Sequence, residues 1–199
     1  MHRKLKMRLV IIDNYDSFTY NLFQLFSIFD IEVTVIRNNA ISVDELKRLA
    51  FDRICISPGP KAPKDSGISM EVVKRFYRKV PILGVCLGMQ VINEVFGGKT
   101  DLAPYPIHGK KDLVFHTGKR IFRGIPSPFF AARYHSLQCR PVASDFEVLA
   151  KSSDNVVMGI AHPEFPVFGV QFHPESFMSE YGKEIIKNFL ELRYERLFL

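Results

Sequence analysis

Three side chains in this sequence have the types and settings needed for covalent attack on a carbonyl: Cys86, His173 and Glu175. Cys86 lies in Gly84-Val85-Cys86-Leu87-Gly88, at the end of the apolar run Ile82–Val85. A buried strand that enters a helix through Gly-x-nucleophile-x-Gly turns sharply and lifts the nucleophile off the sheet edge. The glycines are needed because side chains there would strike neighbouring backbone. A thiol so placed stands at a helix N-terminus, where free N–H groups and the dipole favour its thiolate form. The Leu87 N–H would point at an oxygen that develops charge on the attacked carbon. Taken alone, Cys86 reads equally well as a buried residue in a glycine-rich turn.

A thiol nucleophile needs a base, and the base needs a group to orient it. Of the six histidines, His2, His108, His116, His135, His162 and His173, the last follows a strand-like run in Phe168-Gly-Val-Gln-Phe-His-Pro-Glu-Ser176. It would emerge at the carboxyl edge of a sheet, where the elbow puts Cys86. Glu175, two residues on, could accept a hydrogen bond from the imidazole and fix its tautomer, which completes the logic of a triad. Ser57-Pro-Gly-Pro-Lys-Ala-Pro63 supplies a stiff loop in which Gly59 lets backbone approach a ligand closely. A Gly59 N–H beside that of Leu87 would give an oxyanion hole of two donors.

The elements that must position these groups are readable from periodicity. Leu9–Ile12, Val33–Ile36, Ile54–Ser57 and Ile82–Val85 read as strands buried on both faces. Phe18, Leu22, Leu25, Phe26 and Phe29 share one helical face between the first two. Ser42 with Glu45 forms a capping box, and Ser69 precedes a third helical run through Val72, Val73 and Phe76. Strand–helix alternation at this spacing predicts an α/β fold, an open, mostly parallel sheet with helices on both faces. Residues 99–150 are turn-rich and predict an added antiparallel segment. Val156–Ala161 and Phe168–Phe172 return as strands, and a closing helix carries Ile185, Ile186, Phe189 and Leu190.

Composition narrows the class. At 199 residues the chain suits one domain with a full core, and the expected organisation is a basic extension over residues 1–7 followed by a single domain over 8–199. No stretch nears the ~18 apolar residues of a membrane span, and no signal peptide is evident, so a soluble, cytoplasmic protein with no membrane partner is expected. Cys55, Cys86 and Cys139 are odd in number and lack metal-ligand spacing, which argues against a disulfide framework or a metal site. The net charge of +6 falls to +2 without Arg3, Lys4, Lys6 and Arg8, so no nucleic-acid partner is expected.

Together, the Gly-Pro loop at 57–60, the Gly84–Gln90 elbow and Val170-Gln-Phe-His-Pro-Glu-Ser176 resemble the class I, triad-type glutamine amidotransferases. Asp13-Asn-Tyr-Asp-Ser-Phe-Thr-Tyr-Asn-Leu22, His108-Gly-Lys110 and Arg133-Tyr-His-Ser-Leu137 are similar to the branch that serves chorismate-using synthases. The resemblance implies that Cys86 forms a glutamyl thioester, that His173 shuttles the proton and that Glu175 orients it. It implies oxyanion donors at Gly59 and Leu87, and contacts to L-glutamine from Gly59, Pro60, Gln90, Ser136 and Leu137. It further implies a heteromeric partner, the synthase chain, with no cofactor in this chain and Mg²⁺ only on the synthase. Anthranilate synthase of the tryptophan pathway is the first expectation; aminodeoxychorismate synthase of the folate pathway, or a subunit shared by both, is the alternative. A stand-alone cysteine hydrolase and a catalytically silent docking subunit are the readings from other classes. The chain departs from its relatives' pattern at Lys61, where a third small residue is common, and at Lys111-Asp112, where a small hydroxyl residue is frequent.

Overall fold

Strand β1, Met7–Asp13, alternates its apolar side chains between two cores, and the whole molecule is built on that alternation. Leu9 and Ile11 face one core, Val10 and Ile12 the other, as the two-residue period of a strand requires. The computed structural model describes residues 6–192. Residues 1–5, which carry most of the expected basic extension, and residues 193–199 lie outside the described residues. Met7 belongs to β1, so the sheet begins inside the stretch expected to be extension.

After β1 come α1 (Thr19–Ser27), β2 (Ile31–Arg37), α2 (Val43–Arg48), β3 (Arg53–Ile56), α3 (Ser69–Phe76), β4 (Ile82–Val85) and α4 (Leu87–Val95). The turn-rich middle folds into β5 (Thr100–His116), β6 (Phe129–Cys139) and β7 (Glu147–Ser152). The chain ends with β8 (Val157–Ala161), β9 (Val167–Val170) and α5 (Gly182–Leu190). All nine strands form one sheet in the order β2-β1-β3-β4-β9-β8-β7-β5-β6. The first five run parallel, and β8, β7, β5 and β6 continue antiparallel. The antiparallel arm is thus nearly half the sheet, larger than the added segment that the turn signals predict.

Helices α1 and α5 cover one face with Leu22, Phe26, Ile186 and Phe189; α2, α3 and α4 cover the other with Leu46, Val72, Val73 and Ile92. Each such fully buried side chain contributes about 1.5–3 kcal/mol of transfer free energy. The capping box of α2 forms as expected: the Glu45 N–H donates to Ser42 Oγ at 3.2 Å and the Ser42 N–H to Glu45 Oε2 at 2.8 Å.

Three local expectations are corrected. Strand β2 is half-exposed rather than buried on both faces, because it is the edge strand and lacks a neighbour beyond it. Ser69 does not precede α3 but is its first residue, and its hydroxyl donates to Asn14 Oδ1 at 2.8 Å. Strand β9 stops at Val170 and not at Phe172; the Gln171 N–H still donates to Met158 O at 3.0 Å, and the chain departs from β8 before His173.

The β5–β6 hairpin returns to the site. The His173 N–H donates to Ala132 O at 3.1 Å, and the Glu180 N–H to Phe130 O at 2.9 Å. Strand β6 therefore pairs with β5 on one side and with the segment after β9 on the other. That second pairing carries Tyr134–Leu137 to the carboxyl edge of the parallel strands.

Candidate active site

Parallel pairing of β3, β4 and β9 brings three chain exits to one sheet edge: the loop from Ser57, the elbow at Cys86 and the segment Gln171–Glu175. The elbow is strained in the way its glycines predict. Cys86 has φ +53° and ψ −108°, outside the favoured regions for an L-residue. A Cβ on Gly84 would stand 2.3 Å from Gly88 O, and one on Gly88 would stand 2.2 Å from Ile56 O. The Cys86 N–H donates to Val170 O at 2.8 Å, and the Met89 and Gln90 amides bond back to Cys86 O. The elbow is thereby held on both sides, and the strain persists because its surroundings over-determine it.

His173 Nδ1 donates to Glu175 Oε1 at 2.7 Å, and both side chains are almost wholly buried. Among the described residues, His173 Nε2 and Glu175 Oε2 are buried with no hydrogen-bond partner. Burial alone would lower the His173 pKa, but the Glu175 charge and the neighbouring Cys86 thiol outweigh it and hold the pKa well above the usual imidazole value. The second ring nitrogen is thus directed at Cys86, as a triad requires. Phe18 and Tyr134 meet the imidazole edge-on, with ring centroids 5.2 and 5.0 Å away, and restrict its rotation.

A cavity of about 520 Å³ opens in front of Cys86. Gly59, Pro60, Leu87, Gln90, Ser136 and Leu137, each singled out from the sequence, all line it. Leu87 is the first residue of α4, so its N–H is one of the amides a helix leaves without an internal acceptor. Gln90 Nε2 donates to Leu137 O at 3.3 Å and to Gln171 Oε1 at 3.1 Å, which leaves Oε1 of Gln90 for a ligand.

Sequence reasoning gave no role to several residues that build this site. Asn14 ties the end of β1 to the loop after β3: its N–H donates to Ser57 Oγ at 2.9 Å and its Nδ2 to Ser57 O at 3.0 Å. Asp13 Oδ1 gathers the Tyr15 N–H and the Thr19 hydroxyl, which ties the start of α1 to the end of β1. Gln171 Nε2 reaches Cys86 Sγ at 3.5 Å. His135 accepts from Arg133 Nε at 3.1 Å and donates through Nδ1 to Leu137 O at 2.9 Å. Their spacing on β6, two residues apart on one face, was the available signal for this last pair. Among the described residues no cluster of His, Cys, Asp or Glu is arranged to hold a metal ion, and no helix is long and apolar enough to cross a membrane.

The Thermotoga maritima protein named bifunctional protein TrpGD is 49% identical over 94% of this chain, which spans only 32% of that relative's length. The Bacillus subtilis protein named aminodeoxychorismate/anthranilate synthase component 2 is 48% identical, over 92% of this chain and 95% of its own. Among solved structures, a putative GMP synthase subunit from Thermoplasma acidophilum superposes with a TM-score of 0.85 at 25% identity, over 94% of both chains. The model of the family described as glutamine amidotransferase class-I matches residues 10–192, nearly all of the sheet and the whole of the site, and the chain belongs to that family.

Proposed function

We propose that this chain hydrolyses L-glutamine and delivers the ammonia to a chorismate-using synthase subunit with which it forms a heteromer, anthranilate synthase in the first place. The observation that carries the reading is the strained Cys86 elbow, which faces the buried His173–Glu175 pair across a cavity large enough for an amino acid. Cys86 Sγ attacks the side-chain amide carbon of glutamine. The resulting oxyanion is met by the N–H groups of Gly59 and Leu87, where loss of one such donor costs roughly 10²–10³ in rate. The proton shared by Sγ and His173 Nε2 ends on the departing nitrogen, which leaves as ammonia. Water then attacks the thioester, His173 takes its proton, and glutamate and the free thiol result. Gln90 Oε1 and the Ser136–Leu137 segment hold the amino-acid end of the substrate.

Ammonium is not a nucleophile, so the product must pass shielded to the partner. No cofactor is assigned to this chain, and Mg²⁺ belongs to the synthase. A cytoplasmic setting fits the three buried, unpaired cysteines. The double name of the Bacillus subtilis relative favours a second reading, the same subunit serving aminodeoxychorismate synthase.

The test combines the chain with candidate synthase subunits, chorismate and either glutamine or an ammonium salt, with the amino product identified by mass spectrometry. Wild type should give anthranilate from glutamine. Cys86→Ser should give none from glutamine but retain synthesis from ammonium. Glutamine-driven product from Cys86→Ser would overturn the mechanism, and aminodeoxychorismate in place of anthranilate would select the second reading.

A further inference from the structure

Arg133 is fully buried, an unusual place for a guanidinium. Its Nη1 and Nη2 bind Asp154, its Nη1 also binds Asp112, and Ser152 and Ser153 donate to these carboxylates. Asp112 and Asp154 are partly exposed, so burying the guanidinium against them costs desolvation that the ion pairs offset only in part, and its charge calls for another explanation. A further donor, Nε–H, points at His135 Nε2. Arginine can only donate, so Nε2 must be the bare nitrogen and the proton must sit on Nδ1. Nδ1–H in turn donates to Leu137 O. Burial and the Arg133 charge push His135 down to about 4, so the ring stays neutral and the arrangement holds through the neutral range.

We propose that Arg133 and His135 are positioning residues of the glutamine pocket: the carboxylate-anchored guanidinium selects the His135 tautomer, and that tautomer fixes the Leu137 carbonyl on the cavity wall. Both lone pairs of Leu137 O are then used, one by His135 and one by Gln90 Nε2. The Ser136–Leu137 segment cannot rotate, and Gln90 is held with Oε1 free. The same Gln90 amide donates to Gln171, whose Nε2 reaches Cys86 Sγ. One series of hydrogen bonds therefore runs from Arg133 to the nucleophile. In the opposite tautomer, Nε2–H would face the Arg133 Nε–H and a lone pair on Nδ1 would face the Leu137 carbonyl, so the first two links would both break.

The inference deepens the glutaminase reading and rests on it, so its test has two independent arms. In the first, ¹⁵N resonances of the histidine rings report protonation directly in wild-type protein, with His135→Asn supplying the assignment. His135 should be neutral with the proton on Nδ1 at pH 7, and Arg133→Met should shift Nε2 toward the protonated position. In the second arm, glutamine kinetics are measured on the complex with synthase. His135→Leu and His135→Gln should raise KM about tenfold, the worth of one lost hydrogen bond, with kcat changed by less than about threefold. His135→Asn, whose amide nitrogen can take the Nδ1 position, should recover most of the loss. Wild-type KM in His135→Leu, or an Nε2-protonated or cationic ring in wild type, would overturn the proposal. If wild type itself turns over no glutamine, the glutaminase reading fails, and the tautomer measurement still decides the relay.

Discussion

Glu175 accepts the Nδ1 proton of His173 through Oε1, and its Oε2 is buried without a partner among the described residues, so the histidine is the group its charge chiefly acts on. The two opposing influences on His173 are separable. Burial lowers its pKa, while the Glu175 charge and the Cys86 thiol raise it. Glu175→Gln removes the largest raising influence and keeps the side-chain shape. The proton then leaves His173 at lower pH than in wild type. The limb of the kcat/KM profile that follows loss of this proton should move to lower pH. The rate at pH 7 should fall by roughly 10²–10⁴, the usual worth of a positioned acid–base group. A profile of kcat/KM against pH on the synthase complex measures both, and an unmoved limb would remove Glu175 from the mechanism. The other two cysteines offer no competing nucleophile, because burial pushes the Cys55 and Cys139 thiols strongly up and keeps them protonated.

At the scale of the element, the loop after β3 shows how one departure from the family pattern is accommodated. Lys61, which the resemblance marks as a departure, has φ +66°, in the left-handed region that favours glycine. Its side chain is exposed, so the cost lies in the backbone and not in lost space. A non-glycine residue there costs about 1–2 kcal/mol, partly offset by the larger unfolded-state entropy of glycine. Lys61→Gly should therefore raise stability by up to about 1 kcal/mol, and Lys61→Ala should not. Urea unfolding midpoints of the two variants check this, and equal midpoints would show that the loop relaxes around the lysine. What the sequence made legible here was local: the close approach of Gly84 to Gly88, the Ser42 box and the His173–Glu175 pair each join residues a few positions apart. Ser69, expected just before the helix, is its first residue, and its hydroxyl partner, Asn14, is 55 residues away. Gln171 was invisible for the same reason, since its partners Cys86 and Gln90 come from another strand exit.

At the scale of the whole molecule, the parallel half of the sheet followed from strand–helix alternation, whereas the path of β6 did not. Its return to the site depends on pairing with residues 173–180, and no periodicity within Phe129–Cys139 encodes that. The return has a thermodynamic consequence for the fold, because it buries His135 as a neutral ring between β6 and the site. Arg133 on β6, Asp154 in the turn before β8 and His173 after β9 are the charged groups acting on it, and burial is the largest influence. Its pKa is lowered from 6.5 to about 4. A histidine with a depressed folded-state pKa contributes stability that is present above the unfolded value and lost as pH falls through the folded one. Between pH 6.5 and 4 the unfolded chain binds a proton that the folded chain refuses, and up to about 3 kcal/mol of unfolding free energy is forfeited. Asp154 acts in a lower window, because Arg133 and Ser152 overcome burial and hold its carboxyl below 3.8. Urea unfolding of wild type should therefore weaken steadily from pH 6.5 to 4.5, and His135→Leu should show a flatter slope over that range whatever its stability at pH 7. Parallel slopes would mean that the ring is solvated before the fold opens, and that β6 leaves the site first as the protein is acidified.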